Sequence, residues 1–170
     1  MRELDRAVLE LTQSVSAPLL DLVASVFGIL GKAEVTGGIA LGLAVARLRR
    51  GQRDFWIPLL LAVVAAIEVT LKMVVAQPLP PEELSRGVEF TQFAHVTFAG
   101  SFPSGHLART TFLAAVVHVP AWLAVCVVAL MMVTRVYLGE HWPSDVLGGL
   151  LLGLLVAQVA TVAERSLRRH

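Results

Sequence analysis

At 170 residues the chain has the length of one domain, yet 56% of it is hydrophobic and only 16% is charged, against roughly 25% charged in an ordinary soluble protein. With a mean hydropathy of +0.72, a soluble fold of this size could not hide its apolar surface, so the bilayer is the expected solvent. The formal net charge of +1 and the lack of a basic stripe interleaved with aromatics exclude a nucleic-acid partner.

The opening Met-Arg-Glu-Leu-Asp-Arg is too acidic and too weakly apolar for a cleaved signal peptide, so insertion is expected through the chain's own helices. Residues 2–14 read as a surface helix. Residues 18–31 and 34–48 read as two short helices around Gly31-Lys32, with Asp21 close to an interface. Phe55 to Val75 is the clearest apolar run, interrupted only by Glu68 and Lys72. Thr110 to Thr134 carries no formal charge and is broken at His118-Val-Pro120, so it reads as two helices meeting at a tight loop. Val146 to Ala163 is the last span. None of these runs alternates as a strand would, and only helices or closed barrels satisfy their backbone in lipid. The expected fold is all-α, a single domain over residues 1–170 with six transmembrane helices.

Residues 77–102 form the only long polar connection, opened by Pro78-Leu-Pro-Pro81, which blocks helix continuation. Glu82 to Gly87 suits a short surface helix. Gly149 and Gly153, four apart on the last helix, suit close helix packing. Trp56, Trp122 and Trp142 read as interfacial anchors, and His95 and His118 as loop residues. Cys126 stands alone in an apolar run and forms no internal disulfide.

With six spans, the N-terminus, the 47–53 loop and the C-terminus share a side. They carry Arg2, Arg6, Arg47, Arg49, Arg50, Arg53, Arg165, Arg168 and Arg169, nine of the fourteen basic residues. The positive-inside rule puts these ends in the cytoplasm of a multi-pass cell-membrane protein and turns the 77–102 loop outward.

Ionisable residues near or within spans are costly and point to function. They collect at the outward ends: Lys72, the Phe102-Pro-Ser-Gly-His106 turn, and Arg135 with His141 and Asp145. Pro103 suits the first position of a helix, which would leave the amides of Ser104, Gly105 and His106 unpaired, an anion-binding arrangement. Gly105 permits close backbone approach, and His106 beside it is a candidate general acid. Gly139 reads as a helix end and Pro143 as the next start. His141 then lies at the turn with Asp145 four residues on, a carboxylate able to fix the imidazole tautomer and make the other nitrogen nucleophilic. Lys72 and Arg135 supply positive charge for a phosphoryl group. His106, His141, Glu140 and Asp145 are also possible zinc ligands, although no HExxH or cysteine pattern accompanies them.

Phe102-Pro-Ser-Gly-His106 and Thr134-Arg135-(five residues)-His141-(three residues)-Asp145 resemble motifs two and three of the type 2 phosphatidic acid phosphatases, relatives of the vanadium haloperoxidases. The first motif, K-x6-R-P, is matched by Lys72 and Pro80. Thr134 stands in place of the usual serine and keeps a hydroxyl. Leu79 stands where the motif arginine belongs, so one phosphate-binding cation is missing.

The resemblance implies an external active site that dephosphorylates membrane lipids through a phosphohistidine, without metal or other cofactor. His141 would attack phosphorus, Asp145 orient it, and His106 protonate the leaving oxygen. Lys72, Ser104, Gly105 and Arg135 would hold the phosphate. The substrates it suggests are lipid phosphates or diphosphates of the phosphatidic acid, phosphatidylglycerol phosphate or polyprenyl diphosphate classes. A phosphotransferase using the same intermediate, and a non-catalytic lipid-binding or transport protein on the same fold, stand beside this reading. Oligomeric state is not legible.

Two readings attach to Arg109, three residues after His106 on a similar helix face. It replaces the cation missing at Leu79, or it pairs with Glu68, which lies one turn deeper than Lys72.

Overall fold

A computed structural model describes residues 2–88, 100–117 and 119–167; His95, His118, Arg168 and Arg169, and most of the later part of the long connection, lie outside them. Among the described residues the chain is all-helical: α1 Arg2–Gln13, α2 Pro18–Gly28, α3 Ala33–Arg49, α4 Leu61–Val74, α5 Gly105–Val116, α6 Ala121–Tyr137 and α7 Pro143–Leu167. Short 3-10 turns follow α2 at Ile29–Gly31 and precede α4 at Ile57–Leu60.

The helix ends are written in the sequence. Pro18 occupies the first turn of α2, where its missing N–H costs nothing. Gly51 and Gly139 adopt the left-handed backbone, both at φ 67°, and terminate α3 and α6 as glycine does at helix C-termini. The Glu82–Gly87 stretch forms a 3-10 turn, Glu82–Leu84.

Helix α7 is the axis of the packing. A β-carbon on Gly149 would lie 2.4 Å from the Ser104 carbonyl oxygen, and one on Gly153 would lie 2.5 Å from that of Ala108. The two glycines thus let α5 and α7 approach backbone to backbone, the close packing their spacing suggests. Around this seam Val64, Ala108, Phe112, Leu152 and Val156 form one buried cluster. Leu9, Leu107, Met131, Val136 and Val146 form a second. The outward faces are apolar too: Leu41, Val63, Val125, Leu151, Leu155 and Val159 are all exposed. An apolar exterior around an apolar core is what a lipid solvent requires, and the chain is a membrane protein.

Helices α3 to α7 run between two ends. At one end stand Lys32, Lys72, Ser104, Arg135 and Asp145, at the start or finish of their helices. At the other, buried Arg47 donates to Asp54 at 3.0 Å and to the Val116 carbonyl at 2.7 Å. Ile57–Val74 and Pro143–Leu167 are each long and apolar enough to cross a bilayer, and the α1–α2 pair, bent by 117°, counts as a third crossing only if taken as one broken span.

The N-terminal region departs from expectation. Six spans would put residues 2–14 at the end opposite Lys72 and His141, but α1 lies across their end instead. Asp5 accepts the Ser144 amide and hydroxyl, both at 2.9 Å, and Gln13 donates to the carbonyls of Leu84 and Tyr137 at 2.7 and 2.9 Å. Helix α2 stays there as well: its 11 residues rise only about 16 Å. Its Asp21 receives two bonds from Arg86 at 3.0 Å and one from the Tyr137 hydroxyl at 2.5 Å. Hydropathy finds α2 correctly as an apolar helix; its polar partners decide where it lies.

Candidate active site

The Pro-Ser-Gly-His turn enters α5 two residues later than its proline suggested. Ser104 is the N-cap and Gly105 the first helical residue. Ser104 donates its amide to the Asp145 carbonyl at 2.9 Å, so that N–H is not free for an anion. Gly105 and His106 occupy the first turn, where backbone N–H groups have no partner within their own helix. The Ser104 hydroxyl is fully buried and bonds to nothing in the described structure.

Asp145 is completely buried in the first turn of α7. One carboxylate oxygen accepts the Trp142 amide at 2.9 Å and the other accepts the Ser101 hydroxyl at 3.2 Å. The first of these oxygens also lies 3.4 Å from Nδ1 of His141. That contact is long for a hydrogen bond, and Nδ1 is buried without another partner. It assigns the two nitrogens: Nδ1 faces the carboxylate, leaving Nε2 to carry any chemistry. The Gly139 turn holds this geometry, because the amides of Glu140 and His141 both donate to the Arg135 carbonyl, at 3.2 and 3.4 Å.

Arg135 is 2% exposed. It donates to Glu140 at 2.5 Å and to the Ala24 carbonyl at 3.2 Å, while Nε has no partner. Its guanidinium lies against the backbone of Gly28, where a β-carbon would come within 2.1 Å of it. Three residues on, a β-carbon on Gly31 would lie 2.8 Å from the His106 ring. Helix α2 and its 3-10 extension therefore form a wall over both groups. Nothing in the sequence motifs marked this wall; the only signal was Gly28 and Gly31, one turn apart.

Lys72 lies at the last turn of α4, its ammonium 3.5 Å from the Ser101 carbonyl, with Asp145 and Glu68 among the charges around it. Glu68 is buried and lies against Gly105, where a β-carbon would come within 1.9 Å of the carboxylate. This is a second reason for glycine at that position. Arg109 pairs with Glu68 through Nη1, and its Nη2 and Nε point to the Gly31 carbonyl at 3.2 and 3.4 Å. Of the two roles open to Arg109, the structure shows the Glu68 pair. Glu140, offered as a possible zinc ligand, is turned to Arg135, and no group of three His, Cys, Asp or Glu side chains fit to hold a metal occurs among the described residues.

The segment after α4 is tied over this end. Arg86 donates its amide to the Leu138 carbonyl at 2.9 Å, Val88 donates to the Ser25 hydroxyl at 2.9 Å, and the Trp142 indole donates to the Pro78 carbonyl at 2.8 Å. Hydrogen bonding to Asp21 and then to Tyr137 raises the Arg86 pKa above its ordinary value. Trp142, expected as an interfacial anchor, fastens this segment to the start of α7.

Two imidazoles, two cationic side chains and a helix N-terminus thus meet at one end of an apolar helical bundle. Such a fold and arrangement define a membrane protein with a cluster of basic side chains at one end of its bundle. The chain belongs to the PAP2 superfamily, whose sequence model matches residues 53–169.

A stretch of 68 residues, 37% of the chain, is 41% identical to Escherichia coli (strain K12) YbjG, a provisionally assigned undecaprenyl-diphosphatase, and covers 34% of it. A stretch of 69 residues, 38% of the chain, is 35% identical to the undecaprenyl-diphosphatase of Sulfolobus acidocaldarius, again covering 34%. The matches thus span about a third of these relatives' length. The fold is that of the transmembrane PAP2-type phosphatidylglycerolphosphate phosphatase from Bacillus subtilis: TM-score 0.74 at 23% identity, over 97% of this chain and 86% of that one.

Proposed function

We propose that this chain hydrolyses lipid phosphate or diphosphate esters through a phosphohistidine on His141. The observation that carries the proposal is a set of orphaned atoms. Five buried side-chain polar atoms lack a hydrogen bond among the described residues; Ser104 Oγ and Arg135 Nε can donate to a phosphoryl group, and a third, His141 Nδ1, faces Asp145. Buried polar groups are rarely left unpaired. These three belong to neighbouring backbone segments, joined by the Ser104–Asp145 and Arg135–His141 hydrogen bonds. A phosphoryl group accepts from Ser104, Arg135 and the first-turn amides, as transfer through a charge-spread transition state requires.

In the first step Nε2 of His141 attacks phosphorus while Asp145 holds the tautomer and steadies the imidazolium. The phosphorus–oxygen bond to the lipid breaks, its electron pair stays on that oxygen, and His106 supplies the proton. In the second, water attacks the phosphohistidine as His106 takes its proton. The phosphorus–nitrogen bond breaks and inorganic phosphate leaves. Lys72 steadies the phosphate charge. Arg109, occupied by Glu68 and Gly31, holds α5 to α4 and to the α2 wall.

The relatives named for undecaprenyl diphosphate and phosphatidylglycerol phosphate bracket the substrate class. An apolar groove of about 370 Å³ between α5, α6 and α7, lined by Thr111, Val128, Met132, Leu150 and Leu154 among others, suits the lipid chain. Arg47, Arg49, Arg50, Arg53 and Arg165 lie at the opposite end of the bundle, which supports an outward-facing site in the cell membrane by the positive-inside rule. The C-terminal end of α7 is then cytoplasmic and α1 rests on the outer interface.

The test is phosphate release in detergent from undecaprenyl diphosphate and phosphatidic acid, with EDTA present. The wild-type chain should turn over at least one of them, and His141→Ala neither. His106→Ala should lose phosphatidic acid, whose alcohol leaving group needs a proton, but keep an aryl phosphate, whose leaving group needs none. Activity that vanishes with EDTA and returns with zinc would overturn the phosphohistidine reading.

A further inference from the structure

The first motif lacks its cation. Position 79 is a half-exposed leucine, although its neighbour Pro78 is drawn into the site by the Ser101 hydroxyl and the Trp142 indole, at 3.2 and 2.8 Å. A different cation stands on another wall. Lys32 follows Gly31, the residue that lies against the His106 ring and takes two of the three bonds from Arg109. Its backbone is fixed on both sides: its amide donates to the Ile29 carbonyl at 3.1 Å, and its own carbonyl accepts the Thr36 amide and hydroxyl at 3.0 and 2.9 Å.

Lys32 is half-buried. The nearby carboxylates are committed elsewhere: Glu68 to Arg109, Glu140 to Arg135, Asp21 to Arg86 and Asp145 to the His141 turn. No ion pair to Lys32 occurs among the described residues. Basic side chains around His106 include those of Arg135, Arg109, His141 and Lys32, the last joined to Gly31, on which the His106 ring packs. Arg109 is neutralised by its partner, Arg135 belongs to the transferred phosphoryl group, and His141 is the nucleophile. Lys72 stands on α4 among the charges of Glu68 and Asp145, so Lys32 is the cation on the α2 side, next to the residue that meets the proton donor.

We propose that Lys32 binds the leaving-side phosphate of a lipid diphosphate and makes the site selective for diphosphates over monophosphates; the proposal rests on the phosphatase reading above. The chemistry separates the two substrates at the atom His106 protonates. When a lipid monophosphate is cleaved, the leaving group is an alcohol and no anion lies beyond the breaking bond. When a diphosphate is cleaved, the bridging oxygen departs as part of a lipid monophosphate. The electron pair of the broken bond then adds to a group that is already anionic. An ammonium beside His106 stabilises that second charge, and on a monophosphate it has nothing to meet.

The experiment compares kcat/KM of the full chain in detergent on farnesyl diphosphate and on farnesyl monophosphate. Lys32→Gln, which keeps the stem and removes the charge, should lose on the order of 10²-fold on the diphosphate and less than about threefold on the monophosphate, the loss expected for one phosphate-stabilising donor. Lys32→Arg should keep most diphosphate activity. Equal losses on both substrates, or none on either, would overturn the assignment while leaving the phosphatase reading in place. A wild-type chain that releases phosphate from neither substrate would overturn both.

Discussion

Asp5 and Ser144 lie at the two ends of the chain's sequence logic and meet through two 2.9 Å hydrogen bonds, carboxylate to amide and carboxylate to hydroxyl. Asp5 thereby satisfies one of the free N–H groups at the start of α7, the task an N-cap residue performs from within its own chain segment. The favourable placement of a carboxylate near a helix N-terminus adds to it. Because α7 begins two residues after His141 and carries Asp145, helix α1 holds one edge of the turn that carries His141.

Loss of that cap has a measurable consequence. Asp5→Ala should destabilise the protein by about 1 kcal/mol, which lowers Tm by roughly 2–4 °C in a chain of this size. Turnover should fall with it, while exposed Glu3→Ala changes neither. Thermal melting in detergent beside phosphate release decides this. An unchanged Tm in Asp5→Ala would mean that α1 does not support α7.

The wall formed by α2 is tested with glycines. Gly28→Ala places a methyl group on the Arg135 guanidinium, and Gly31→Ala places one on the His106 ring. Displacing a phosphate donor should cost on the order of 10²–10³ in rate. Gly42→Ala, in a helix and with open space around it, should keep full activity and gain up to about 1 kcal/mol in stability. Normal kinetics in Gly28→Ala would show that Arg135 needs no such wall.

Arg109 and Glu68 form a buried pair, 8% and 6% exposed. Removing one partner strands the other, so Arg109→Leu and Glu68→Leu should each cost about 3–5 kcal/mol, while the double Leu variant recovers much of it. Denaturation of the three variants measures this coupling. A stable Arg109→Leu whose rate drops on the order of 10²-fold would instead make Arg109 a phosphate ligand.

Placement of α1 on the same side as the site is open to chemical labelling. In a Cys126→Ser background, Glu3→Cys should react with an impermeant thiol reagent on intact cells, and Arg50→Cys only after permeabilisation. Protection of Glu3→Cys together with labelling of Arg50→Cys would reverse the orientation proposed here.

The helices and the family were legible in the sequence because each rests on local or short-range information. Apolar run lengths, Pro18, Gly139 and Pro143 set helix ends through backbone geometry, and the spacing of His141 and Asp145 is one helical turn. Gly149 and Gly153 announced a close helix contact for the same reason: small residues at helical spacing leave room for another backbone.

What only the tertiary structure decided concerns partners far apart in the chain. Hydropathy records how apolar α2 is but not that Asp21 meets Arg86 and Tyr137, so it cannot tell a spanning helix from one held at the site's rim. It placed α1 at the wrong end for the same reason, since the Asp5–Ser144 contact joins residues 139 positions apart. Arg109 could equally have faced a phosphate or Glu68 by spacing alone; packing chose the carboxylate. Lys32 carries no motif at all. The 3-10 turn after α2 lays its neighbour Gly31 against the His106 ring, and proximity of that kind is a property of the folded chain.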